Sequence, residues 1–100
     1  MSYVFEKQTA VRQAALAYWD AYHMWERCKA EPDTTMQDWR DCADDCRRRR
    51  DAWARAIYKA GGGARNGAWP LARCRAWVDN RILEIIDADN AARRRETENA

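Results

Sequence analysis

Aliphatic side chains are scarce in this 100-residue chain: three leucines, four isoleucines and three valines, with a single phenylalanine. A share this low, joined to a high net charge, would describe a disordered polymer. The net charge is only +2, however, and six tryptophans and four tyrosines replace the missing aliphatic bulk. Large rings bury more area each than aliphatic side chains do. The expectation is therefore a small core of aromatic knobs set against alanine-lined helix faces.

Other absences narrow the function. No stretch approaches the roughly 18 uncharged apolar residues that a membrane span needs. The opening, MSYVFEKQTAVRQ, has no basic segment followed by an apolar run, so no export signal is visible. The expected location is the cytoplasm, where the four cysteines would be reduced thiols. There is no Gly-x-Ser-x-Gly, no phosphate-cradling glycine loop and no metalloprotease motif. GGGARNG, at residues 61–67, is glycine-rich but lacks the Lys-Ser/Thr of a P-loop, and it reads as a link. Asp44 and Asp45 are adjacent, so on a helix they point in different directions. The reading is a protein without catalytic residues.

What remains is helical periodicity. Val4, Val11, Tyr18 and Trp25 recur every seven residues, and Ala14, Ala15, Ala21, Tyr22 and Cys28 fill the steps between. Phe5, Leu16 and Trp19 lie beside that stripe. This predicts a first helix from about Tyr3, capped by Ser2, to Lys29. AEPDTT then breaks it, because Pro32 disfavours helix at Glu31. A second helix starts after Thr34 or Thr35, with Thr35 and Asp38 spaced as a capping box. Its seam is Met36, Trp39, Ala43, Cys46, Arg50, Trp53, Ile57 and Ala60, broken only by Arg50. Gly61 to Gly63 end it. A third helix begins at Pro70 and carries Leu71, Cys74, Val78, Ile82, Ile85 and Ala92, widened by Trp77 and Ile86.

Short links favour antiparallel neighbours. The predicted fold is all-α: a three-helix antiparallel up-down-up bundle with a Gly-rich link before the third helix. Residues 1–92 form one domain, and the polar residues 93–100 form a frayed tail.

Cys42 and Cys46 lie one turn apart, and His23 and Cys28 fall near the same level of the first helix. Zinc sites usually show ligands in close sequence pairs, and this chain lacks that signature. The cysteines read as small buried hydrophobes, with no metal and no cofactor.

Charge is distributed unevenly. From Glu31 to Cys46 there are six acids and one base; from Arg47 to Arg75 there are nine bases and one acid. Acids near a helix start and bases near its end complement the dipole, which explains part of this pattern. Pairs such as Asp44 with Arg48, Asp45 with Arg49 and Asp51 with Arg55 are spaced to interact. Two binding readings follow. In one, the acidic residues Glu31, Asp33, Asp38, Asp41, Asp44 and Asp45 meet a basic surface on a protein partner, with Tyr3, Trp19 and Trp69 as exposed aromatic anchors. In the alternative, Arg47, Arg48, Arg49, Lys59, Arg65, Arg73 and Arg75 bind DNA or RNA phosphates. An acidic patch beside the basic one weighs against direct nucleic-acid binding. The split charge also permits a homodimer with two copies of the second helix laid antiparallel.

The compact, motif-free, self-contained helical character of AYWDAYHMWERCKAEPDTTMQDWRDCADD resembles the small proteins that bacteriophages use against host defence, anti-CRISPR proteins among them. The resemblance covers the whole chain and assigns no individual residue. It implies a non-catalytic inhibitor in the host cytoplasm that binds a host protein. That partner would be a CRISPR-Cas effector subunit or the nuclease it recruits, and the bound protein would block nucleic-acid binding or recruitment.

Overall fold

The computed structural model describes residues 4–62 and 69–98. Among them are three α-helices and no strand: α1 (Thr9–Ala30), α2 (Met36–Lys59) and α3 (Leu71–Glu98), preceded by a short 3-10 helix at Val4–Lys7. The all-helical expectation holds. Ser2, Tyr3 and most of the Gly-rich link lie outside the described residues. No described helix is long and apolar enough to cross a membrane.

The first helix does not run straight from residue 3. Gln8 takes an extended conformation (φ −74°, ψ 135°), and α1 starts after it. The break lets Phe5 reach the core. On a continuous helix Phe5 would sit roughly 120° from Val11, at the edge of the stripe. Instead it is 1 % exposed, its ring edge-on to Trp69 at 5.7 Å and to Trp77 at 4.9 Å.

α2 begins as its sequence suggests. The Thr35 side chain accepts from the Asp38 amide and the Asp38 carboxylate accepts from the Thr35 amide, both at 3.1 Å. Its other end is a Schellman cap. The Gly61 amide donates to Tyr58 O at 3.1 Å and the Gly62 amide to Ile57 O at 2.9 Å. Both glycines have positive φ, 87° and 66°. Gly62 is also constrained by space, because a Cβ there would lie 2.8 Å from the Trp69 Cβ. α3 is launched by the Pro70 carbonyl, which accepts from the Arg73 and Cys74 amides.

The core gathers Phe5, Val11, Tyr18, Trp53, Ala54, Ile57, Trp69, Cys74, Val78 and Ile82. α2 packs against both other helices, more extensively against α1. Contacts between α1 and α2 pair late residues of one with early residues of the other: Trp25 with Trp39, Cys28 with Cys42, Tyr18 with Trp53. The buried part of α3 ends at Ile82, with Ile85 and Ile86 half-buried and Ala92 exposed. The segment expected to be a frayed tail is helical to Glu98, although every residue from Ala92 to Glu98 is exposed. With extents of 49 × 39 × 21 Å and a radius of gyration of 15.9 Å, the molecule is flat and extended. A compact chain of this length would have a radius near ~13 Å.

Candidate recognition surface at the tip of the first two helices

The connection between α1 and α2 is tightly tied. Pro32 blocks continuation, and the Thr34 hydroxyl donates to the Cys28 carbonyl at 2.6 Å, closing the turn. The capping box then fixes the direction of α2. Around this turn lie four carboxylates that no cation neutralises among the described residues. Glu31 and Asp33 are exposed on the connection. Asp38 is engaged in the capping box, and Asp41 accepts from the Gln37 side chain at 2.8 Å.

The same two turns of α2 carry Met36, 69 % exposed, and Trp39, 40 % exposed. The seam expectation placed both in the core, and they are not there. Their spacing is right, but no large apolar residue follows Ile86 in α3 to cover them. Trp39 meets Trp25 edge to face at 6.5 Å, while Lys29 sits 4.2 Å over the Trp25 ring. The Trp25 indole nitrogen is buried with no hydrogen-bond partner. Beside it opens a cleft of about 220 Å³ lined by Tyr18, Trp25, Ala43, Cys46, Arg47 and Arg50. Asp38 and Asp41 each follow one of the exposed apolar residues by two positions, which on an α-helix turns them about 160° away. The tip therefore has an acidic flank and an apolar flank.

The remaining acids of the expected set differ in kind. Asp44 is bound by Arg47, not by Arg48. Asp45 takes Arg49 at 3.1 Å and Arg48 at 3.7 Å. The basic residues are correspondingly occupied. Arg49 also donates to the Ala17 carbonyl at 3.2 Å, stitching α2 to α1. Arg75 reaches Asp51 at 3.0 Å, and Arg55 holds the same carboxylate at 2.6 Å. These guanidiniums, Arg55 first, hold the Asp51 carboxyl below its ordinary pKa against the opposing effect of burial. Arg73 lies 4.3 Å over the Trp69 ring. Arg50, the break in the seam, swings out to Asp79 of α3 at 3.6 Å, its long stem spanning the interface. Of the expected cationic set, only Lys59 is described without a carboxylate or ring partner. Arg65 lies outside the described residues.

No known protein family, curated protein or solved structure matches this chain.

The aromatic anchors fare unevenly. Trp69 is not exposed: at 5 % it is a core ring wedged between Gly62 and Phe5. Its place is set by the Schellman cap, which turns the chain so that this ring closes over the end of α2. Trp19 is half-buried, edge-on to Tyr18 and Tyr22 at 5.2 and 5.3 Å. Tyr3 lies outside the described residues. Sequence reasoning missed Met36 and Trp39, large apolar side chains exposed at the start of α2. The signal was present in the polar run after Ile86.

His23 faces Trp19 and Tyr22 rather than a cysteine. Cys74 is fully buried at the far end of α2, where burial pushes its thiol pKa up. Cys28 and Cys42, by contrast, meet sulfur to sulfur at 3.1 Å across α1 and α2.

Proposed function

We propose that this protein acts by binding another protein, without catalysis, through the tip of α1 and α2. In this reading α1 and α2 form an antiparallel hairpin, supported by the Trp25–Trp39, Cys28–Cys42 and Tyr18–Trp53 pairings. The hairpin is the rigid element and the tip is a two-sided wedge. Its acidic flank, Asp38 and Asp41 with Glu31 and Asp33 on the connection, meets a basic wall of the partner. Met36 and Trp39 meet an apolar wall. A cleft that normally holds nucleic acid offers a basic wall of this kind, and electrostatic complementarity speeds and selects the docking. The reading fits a phage-type inhibitor of a host nucleoprotein machine, with a CRISPR effector subunit as the specific candidate.

The observation that carries it is the contrast in pairing. Among the described residues no cation pairs with the tip acids, whereas Arg47, Arg48, Arg49 and Arg75 are held by carboxylates of their own chain. A phosphate backbone would have to compete with those pairs.

Two charge reversals test the reading. Glu31→Lys, Asp33→Lys and Asp41→Lys together leave the capping box intact and invert the tip. Arg47→Glu, Arg48→Glu and Arg49→Glu invert the basic run. Capture from nuclease-treated bacterial lysate should lose its protein partner with the first set and keep it with the second. Loss only with the second set, or recovery that collapses on nuclease treatment, transfers the function to nucleic-acid binding.

A further inference from the structure

Two thiols from different helices rarely meet without a reason in packing, and Cys28 and Cys42 are not core residues. Both are partly accessible, and their sulfurs are 3.1 Å apart. The adjoining turn is already fastened by Thr34 on the Cys28 carbonyl and by the Thr35–Asp38 capping box. The helix segments carrying the two thiols are thus held in register before any bond forms. A disulfide needs its sulfurs about 2.05 Å apart, so closure asks for a shift of about 1 Å. Rotation of the two χ1 angles supplies a movement of that size.

We propose that Cys28 and Cys42 are a thiol-oxidation site, forming a reversible disulfide that locks the tip of α1 and α2. The oxidant is a low-molecular-weight disulfide of the glutathione class. The Cys28 thiolate attacks one sulfur of that disulfide, forms a mixed disulfide and expels one small thiolate. Cys42 then loses its proton to water, and its thiolate attacks the Cys28 sulfur and expels the second small thiolate. Two protein thiols become one disulfide, one small disulfide becomes two small thiols, and two electrons pass from protein to oxidant. Cys42 is the resolving partner. The hydrogen bond between the two sulfurs, with burial, pushes the Cys42 pKa up to about 11.

The neighbouring thiols do not substitute. Cys46 follows Cys42 by one helical turn, where Cβ atoms stand ~5–6 Å apart. A disulfide needs ~3.5–4.5 Å, which a regular helix does not provide. Cys74 is 0 % exposed.

This site stands independently of the binding proposal, although the bond would stiffen the proposed tip. The test uses the full chain incubated with oxidised glutathione, followed by intact mass and peptide mapping. The expected product has lost two hydrogens and carries a Cys28–Cys42 link. A tryptic peptide from Asp41 to Arg47 holds both Cys42 and Cys46, so the mapping is repeated in Cys46→Ser to assign the sulfur. The linked protein should melt higher by on the order of 10 °C, since the bond joins residues fourteen apart. Cys28→Ser should form no internal disulfide. If that variant does not fold, the Cys46→Ser mapping decides alone. A stable mixed disulfide with glutathione, a link through any other pair, or unchanged thiols where dithiothreitol is oxidised would each overturn the proposal.

Discussion

The two ends of α2 carry the same kinds of residue on one seam, yet they end in opposite environments. Trp53 and Ile57 are 4 % and 0 % exposed; Trp39 and Met36, on the same seam, are 40 % and 69 % exposed. Periodicity determines which face of a helix is apolar. Burial needs something to cover that face. At the C-terminal end of α2 the cover is supplied by Phe5, Trp69, Cys74 and Val78. At the N-terminal end α3 has turned polar, and the seam stays open. The packed end holds the molecule together, and the open end presents the surface proposed for recognition.

Substitutions should separate the two ends by their size. Trp53→Ala removes a ring in contact with Tyr18 and Trp77 and should cost about 3–5 kcal/mol of stability in denaturant unfolding. Trp39→Ala, at the open end, should cost less than about 1 kcal/mol. Equal losses would mean that the two ends are energetically alike.

Gly62→Ala comes next. A side chain in the left-handed region costs about 1–2 kcal/mol, and displacing Trp69 adds to it. The expected loss is about 3 kcal/mol by the same measurement, with the signal of the Trp69 region changed. A neutral result would show that this cap does not position Trp69.

Alkaline titration should act on the packed side. Burial first, then the nearby Cys46, pushes Tyr18 from the ordinary tyrosine value of 10.0 to about 12. Its folded pKa lies above its unfolded one, so the stabilisation is fully present below pH 10 and is lost as pH rises toward 12. The decline should reach about 2–3 kcal/mol. It should be visible in melting temperature against pH and weakened in Tyr18→Phe. A Tyr18→Phe profile identical to wild type would remove Tyr18 as the cause.

The smallest effect belongs to the tip. Thr35→Ala removes one half of the capping box and should cost about 1 kcal/mol, with faster amide exchange confined to the first turn of α2. Exchange that quickens throughout the chain would tie the tip to the core after all.

Much of the fold could be read from local signals. The capping box at Thr35 and Asp38, the stop at Gly61 and the apolar spacing of α3 from Leu71 to Ile86 all depend on short-range chemistry. The break at Gln8 could not be read, because it is driven by Phe5 finding Trp69 and Trp77, residues more than sixty positions away. Trp69 was misjudged for a related reason: its ring lies off the stripe of α3, and its burial depends on the turn made by Gly61 and Gly62. The acidic stretch was legible as composition, but which acids stay unpaired was not. Asp44 and Asp45 pair with arginines one turn on, whereas Glu31, with Arg27 one turn before it, and Asp41, beside Arg40, form no ion pair among the described residues. The meeting of Cys28 with Cys42 required the pairing of two helices, which spacing along one helix does not contain.

The most direct test of the central claim is one variant measured two ways. Met36→Ala with Trp39→Ala removes the apolar flank of the tip. Its melting temperature and its capture of protein from nuclease-treated bacterial lysate are then compared with wild type. The expected result is a melting temperature within a few degrees of wild type and loss of the captured partner. A collapse in melting temperature, or capture that continues unchanged, would contradict it.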